Sequence, residues 1–255
     1  MKLIISPAKN MRPDTDTVLW NALPRFIEQA EYLYSKLRVM SCRELQSLWQ
    51  CSDNLTDRNM ERLEAIPSLR TGLTPALLAY QGIQYQYMAP GVFTDVEFAY
   101  VQEHLRILSG LYGVLRPLDG VVPYRLEMQA RLETGSGKDL YSYWDSSIAD
   151  QIYQETDCVV NLASQEYSRC VSRYQKPGTQ FITCVFGEER NGKVVEKGTL
   201  CKMARGEMVR YLAQIRGEDP KVLKGFDRLD FAFSPERSDE GTYVFLRRGN
   251  AGRET

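Results

Sequence analysis

Two hydrophobic rhythms run along this chain, and the change between them divides it. In the first half, apolar residues recur at helical spacing. Phe26, Ile27, Ala30, Leu33, Tyr34 and Leu37 mark one face of a helix. Ser41-Cys42-Arg43-Glu44 is a capping box that opens a second helix toward Cys51, and Thr94-Asp95-Val96-Glu97 opens another. That later helix carries Phe98, Val101, Leu105 and Leu108 on one face and is expected to end at Gly110 and Gly113. Further helices are expected from Leu55 to Ile66 and, after an N-cap at Thr74 and an N1 proline at Pro75, through Tyr80. In the second half the rhythm shortens. Residues 157–162 read as a buried strand, and 180–186 with 193–197 flank Gly187 and Asn191-Gly192 as a hairpin. Residues 229–233 and 242–247 form a candidate last strand pair, after a helix from Leu200 to Ile215. One strand, residues 2–6, stands alone at the start, ended by Pro7, and a polar loop to Asp16 follows it.

Helices first, strands later and one strand at the very beginning imply an α/β (α+β) fold: a mixed sheet with helices packed around it. No repeat, low-complexity tract or linker interrupts the 255 residues, which are read as one domain, 1–255. A formal net charge of −1 excludes a global field that would draw the chain to nucleic acid, so such a role needs a local basic patch. No apolar run is long enough for a signal peptide or a spanning helix, so the expectation is a cytoplasmic protein with no membrane partner. Six scattered cysteines without C-x-x-C spacing read as reduced and mostly buried, and a single histidine, His104, removes multi-His metal sites. Neither a metal nor another cofactor is expected. P-loop, dinucleotide and zinc-protease motifs are absent.

The segment from Arg106 to Arg131 carries the most suggestive chemistry. Gly110-Leu111-Tyr112-Gly113 reads as the turn of a helix-hairpin-helix-like element, with glycines that let a phosphate approach backbone N–H groups. Arg106 and Arg116 flank the turn, Arg125 and Arg131 follow, and Tyr112 and Tyr124 are interleaved with them. Forked donors beside rings suit a sugar-phosphate backbone. Lys9 lies on the loop after the first strand, where α/β folds often bind ligands. It is a candidate phosphate ligand and the one candidate catalytic residue, as a lysine nucleophile. Asn161 to Tyr167 form a second strand-to-helix junction, with Ser164 as the cap, suited to a site beside Lys9. Lys202, Arg205 and Arg210 lie on the late helix, not all on one face. Gly206 inside that helix costs about 1 kcal/mol against alanine and points to close contact with another backbone or a ligand.

Ile5-Ser6-Pro7-Ala8-Lys9, the block from Leu105 to Met128, Lys138-Asp139-Leu140-Tyr141 with Trp144, Asn161 to Tyr167, and Lys202 to Arg210 together resemble the YaaA peroxide-stress family. The resemblance runs in order along nearly the whole chain. It implies a bacterial cytoplasmic protein that limits free iron and DNA damage under hydrogen peroxide. It also implies DNA binding through a helix-hairpin-helix element and a positively charged cleft. Carried onto this sequence, Gly110, Tyr112 and Gly113 would belong to the hairpin, and Lys9, Arg106, Arg116, Arg125, Lys202, Arg205 and Arg210 to the cleft. Two functions stay in play: a DNA-binding protective protein, and an enzyme acting on a nucleotide or damaged base through Lys9. Direct iron storage finds little support in one histidine and scattered cysteines.

Overall fold

The structure, a computed structural model, describes residues 1–14 and 18–248. The far end of the loop expected to run to Asp16, and the C-terminal residues 249–255, lie outside the described residues.

The central element is the first strand, β1 (Lys2–Ile5), in which all four residues are buried. Burial on both faces is what a continuous apolar run at the middle of a parallel sheet requires. Around it an eight-stranded sheet assembles from β2 (Leu105–Ser109), β3 (Gly113–Leu115), β4 (Cys158–Leu162), β5 (Gln180–Arg190), β6 (Lys193–Val195), β7 (Phe231–Phe233) and β8 (Thr242–Arg247). The order is β7-β8-β5-β4-β1-β2-β3, with β6 folded back on β5. The five inner strands are parallel: Leu3 stands opposite Leu105 on one side and Val160 on the other. The outer pairs, β7 with β8, β2 with β3, and β5 with β6, are antiparallel. The α/β class and the mixed sheet read from the sequence are the observed ones.

Between β1 and β2 the chain forms α1 (Ile27–Arg38), α2 (Cys42–Trp49), α3 (Asp53–Ala65), α4 (Ala76–Ala79), α5 (Ile83–Met88) and α6 (Asp95–His104). Both capping boxes form: Ser41 and Glu44, then Thr94 and Glu97, exchange side-chain and backbone hydrogen bonds. Then α7 (Leu140–Trp144) and α8 (Ser147–Glu155) precede β4, α9 (Gln165–Ser172) links β4 to β5, and α10 (Gly198–Ile215) leads from β6 toward β7. No helix among the described residues is long and apolar enough to cross a membrane. All six cysteines are free, four of them buried.

The largest correction to the sequence reading lies beyond the Thr94 helix. The helix begun at Thr94 stops at His104, and Leu105–Ser109 is strand β2, paired parallel with β1 and antiparallel with β3. The Gly110–Gly113 turn therefore joins two strands, and no helix-hairpin-helix forms there. Leu105 and Leu108 continue the helical spacing of Phe98 and Val101, but all five residues of β2 are buried. An apolar run of that length has no periodicity to distinguish a buried strand from a helix end. A smaller difference lies at Thr74–Pro75, which pairs with Gly120–Val121 and leaves only Ala76–Ala79 as helix.

Gly206 explains itself. A side chain there would overlap the carbonyl oxygen of Gln84, so its absence lets α10 lie directly on α5.

Candidate functional site

Leaving β1, the chain goes first to β2 on one side and later returns to β4 on the other. The loops after β1 and β4 thus part at a topological switch point, and open α/β sheets bind ligands outside the strand ends there. In this protein those loops are stitched together. The Ser164 N–H donates to Ser6 Oγ at 2.8 Å, and the Ser6 hydroxyl donates to Ser164 Oγ at 3.2 Å. Tyr85 of α5 donates to the Ser6 carbonyl at 3.0 Å. Above them opens a cleft of about 490 Å³. Its walls are the Ser6–Asn10 loop, the start of α5, the Tyr124–Glu127 segment, the start of α9 and the first turns of α10.

Four cations line this cleft, Lys9, Arg125, Lys202 and Arg205, against two carboxylates, Glu127 and Glu166. Glu127 Oε1 lies 3.0 Å from Arg125 and 3.3 Å from Lys9. Lys9 remains largely exposed, whereas the Arg125 side chain is 8% exposed and its Nε has no hydrogen-bond partner. Arg205 Nε is likewise buried without a partner, and its guanidinium reaches only an outlying Glu196 oxygen at 3.6 Å. Buried donors without a partner are uncommon, and they mark Arg125 and Arg205 as side chains whose hydrogen bonding is incomplete. Burial pushes the Glu166 carboxyl up; a hydrogen bond from the Gln129 N–H, at 3.3 Å, opposes the shift, and the nearby Glu127 adds to it.

A tyrosine relay supports the Tyr124–Glu127 wall. The Tyr124 hydroxyl lies 2.8 Å from that of Tyr80 and 2.6 Å from Ser109 Oγ at the end of β2, and Ser109 Oγ in turn accepts from the Tyr112 N–H. Burial pushes the Tyr124 phenol up to about 12, against the hydrogen bonds to Ser109 and Tyr80. Gly110 allows the wall to cross there, because a Cβ at that position would collide with the Leu126 carbonyl oxygen.

The structure brings together only some of the residues singled out from sequence. Lys9, Arg125, Lys202 and Arg205 share the cleft. Gly110, Tyr112 and Gly113 are buried: Tyr112 is fully enclosed, and Gly113, at φ +70°, packs against Trp144. Their glycines serve a tight turn and close packing, with no opening for a phosphate. Arg106 is 3% exposed at the opposite, amino-terminal end of the strands. There it donates to the carbonyls of Gln102 and Glu103 at the end of α6, to the Leu105 carbonyl, and to the Glu155 carboxylate. Arg116 lies 3.7 Å from the same Glu155. Arg210 is half-buried on another face of α10, near Glu97. Glu127 and Glu166 had no role in the sequence reading. Arg125-Leu126-Glu127 held one signal: in an extended segment, residues two apart point to one side, so Arg125 and Glu127 were placed to pair.

Comparison with known proteins finds relatives over nearly the whole chain. The family described as "Peroxide stress protein YaaA" matches residues 1–237. A relative named "UPF0246 protein" from Lachnoclostridium phytofermentans is 49% identical over 247 residues, covering 97% of this chain and 96% of its own. A second, from Agathobacter rectalis, is 47% identical over 248 residues, covering 97% and 99%. One from Pediococcus pentosaceus is 45% identical over 247 residues, covering 97% and 98%. This chain belongs to the peroxide stress protein YaaA family.

Proposed function

We propose that this protein binds DNA through the carboxyl-end cleft and acts in this way in defence against hydrogen peroxide. The supporting observation is the convergence of Lys9, Arg125, Lys202 and Arg205, from three separate chain segments, on one concave surface of a protein with net charge −1. Local concentration of cations, beside the rings of Tyr85, Tyr124 and Tyr167, is what a sugar-phosphate chain requires. The test is fluorescence anisotropy of labelled duplex, single-stranded and branched DNA in rising salt. Binding that weakens steeply with salt, with a shallower slope in a Lys202→Ala/Arg205→Ala variant, is the expected result. Absence of binding to every DNA form at low salt overturns the reading. A lowering of free iron belongs to the same proposal as a cellular consequence, measured as chelatable iron in cells with and without the gene under peroxide.

One observation favours an enzymatic reading beside it. Lys9 stands on the switch-point loop, exposed to the cleft and 3.3 Å from the Glu127 carboxylate. The neutral amine of a lysine attacking a sugar C1′ would break the bond to the base, which leaves with a proton, and opening of the sugar ring would then give a Schiff base at C1′. Borohydride trapping of a protein–DNA adduct, lost in Lys9→Ala, tests it, and no adduct with wild-type protein removes it.

A further inference from the structure

The two ends of the cleft differ in chemistry. Lys202 and Arg205 lie in the turn of α10 just before Gly206, which seats the helix on Gln84, and Gln84 donates to the Leu162 carbonyl at the end of β4. These contacts bring the two cations to the β4–α9 junction. Ser164 does not cap α9 with its side chain, because its hydroxyl and N–H are both engaged by Ser6. The N–H groups of Tyr167 and Ser168 donate to the Ser164 carbonyl, while those of Gln165 and Glu166 receive no side-chain acceptor from the cap, and such a terminus attracts an anion. At the other end stand Glu127 and Glu166, acceptor groups in their ionised forms, with Arg125 Nε unpartnered beside them. Glu166 turns from the start of its own helix toward the Gln129 main chain, which keeps its carboxylate away from the anion end.

We propose that the cleft is a pocket for a single nucleoside monophosphate unit, with its phosphate on Lys202, Arg205 and the start of α9 and its base presenting N–H donors to Glu127 and Glu166. A ligand anionic at one end and donor-rich at the other is the complement of this lining. Guanine fits best, because its adjacent N–H groups match the two oxygens of one carboxylate. Uracil offers a single N–H, and inorganic phosphate satisfies one end only. Glu127 has acceptor capacity left beside Arg125 and Lys9, since a carboxylate offers about four lone-pair positions. The volume, about 490 Å³, is that of a small-ligand site and not of a groove for a duplex. This inference rests on the DNA-binding reading and deepens it: the unit is either a free nucleotide or one nucleotide turned out of a strand.

Titration calorimetry with GMP, UMP and inorganic phosphate at low salt tests it. The expected result is GMP about tenfold tighter than UMP, the scale of one paired hydrogen-bond contact to a base, with phosphate weakest. In Glu127→Gln and Glu166→Gln the affinity for GMP, which loses two N–H contacts, should fall by more than that for UMP, which loses one, so that the preference for GMP falls toward one. Should those variants not fold, the wild-type ligand series decides alone. Equal affinities for all three ligands overturn the nucleotide pocket, and the DNA reading then stands or falls on the anisotropy measurement. GMP binding without DNA binding supports the pocket as a free-nucleotide site and overturns the DNA reading. Competition of GMP by an oligonucleotide with an unpaired guanine, but not by a perfect duplex, assigns the unit to an extruded nucleotide.

Discussion

The two ends of the parallel strands both collect basic side chains, yet the ends are unlike. At the amino-terminal end, Lys2, Arg106 and Arg116 gather around Glu155, with Glu103 on Lys2. Lys2 and Arg106 are almost fully enclosed. Burial opposes ionisation of Glu155, but Arg106, Gln151 and Lys2 together hold its carboxyl below the usual range. Arg106 also satisfies the last carbonyls of α6, the groups that a helix C-terminus leaves open. At the carboxyl-terminal end, Lys9, Arg125, Lys202 and Arg205 stand in a cleft with two carboxylates and with guanidinium donors unpartnered. Around Lys2, Arg106 and Glu155 the first cluster is closed and holds the fold, with Arg116 and Glu103 exposed at its rim; the second is open and suits a ligand. The number of arginines does not separate them. Saturation of their hydrogen bonds does.

The largest expected effect is at the closed end. Arg106→Ala removes its bonds to Glu155 and the α6 carbonyls, and breaking a buried pair costs about 3–5 kcal/mol. Urea denaturation measures it. A variant as stable as wild type would make Arg106 a poor example of a structural arginine. Gly110→Ala tests the border between the ends. The new methyl group meets the Leu126 carbonyl, and overpacking costs about 1–3 kcal/mol. Ligand affinity should also fall, since the Arg125–Glu127 wall must shift. Unchanged affinity would show that the turn and the cleft are uncoupled.

Asp119 gives the closed end a pH signature. Burial raises its carboxyl to about 6 from an ordinary 3.8, against the bond from the Arg116 N–H. A raised carboxyl favours the folded state while protonated. Its contribution is full below about pH 4 and is lost as pH rises through about 6. The loss is on the order of 3 kcal/mol. Asp119→Asn keeps an acceptor for Arg116 and should flatten stability between those pH values; an unaltered profile would assign the slope elsewhere. The smallest stability effect is expected at the open end. Lys202→Ala is exposed and should move stability within about 0.5 kcal/mol, while lowering DNA affinity and the salt slope by about one unit. A strongly destabilised Lys202→Ala would erase the contrast between the two ends.

Much of the fold was legible because its signals are local. The capping boxes at Ser41 and Thr94 set helix starts through bonds spanning three residues. Asn191-Gly192, both at positive φ, makes the β5–β6 turn. The switch-point loop with Lys9, and its neighbour at Ser164, were legible because polar residues directly follow apolar strands. The glycine-arginine segment misled because its spacing is compatible with either a helix end or a buried strand.

By itself, the sequence determined where most helices and strands begin, the class of the sheet, and that Gly206 needed a close neighbour. Only the tertiary structure decided that Leu105–Ser109 is a strand, since that depends on β1 and β3 burying both its faces. It alone decided that Arg106 has its hydrogen bonds filled while Arg125 and Arg205 do not, and that Glu127 meets Lys9 from the far side of the chain. The physical reason is range. Caps and turns are settled by atoms a few residues apart, whereas burial and the saturation of a charge depend on segments that meet only when the sheet has formed.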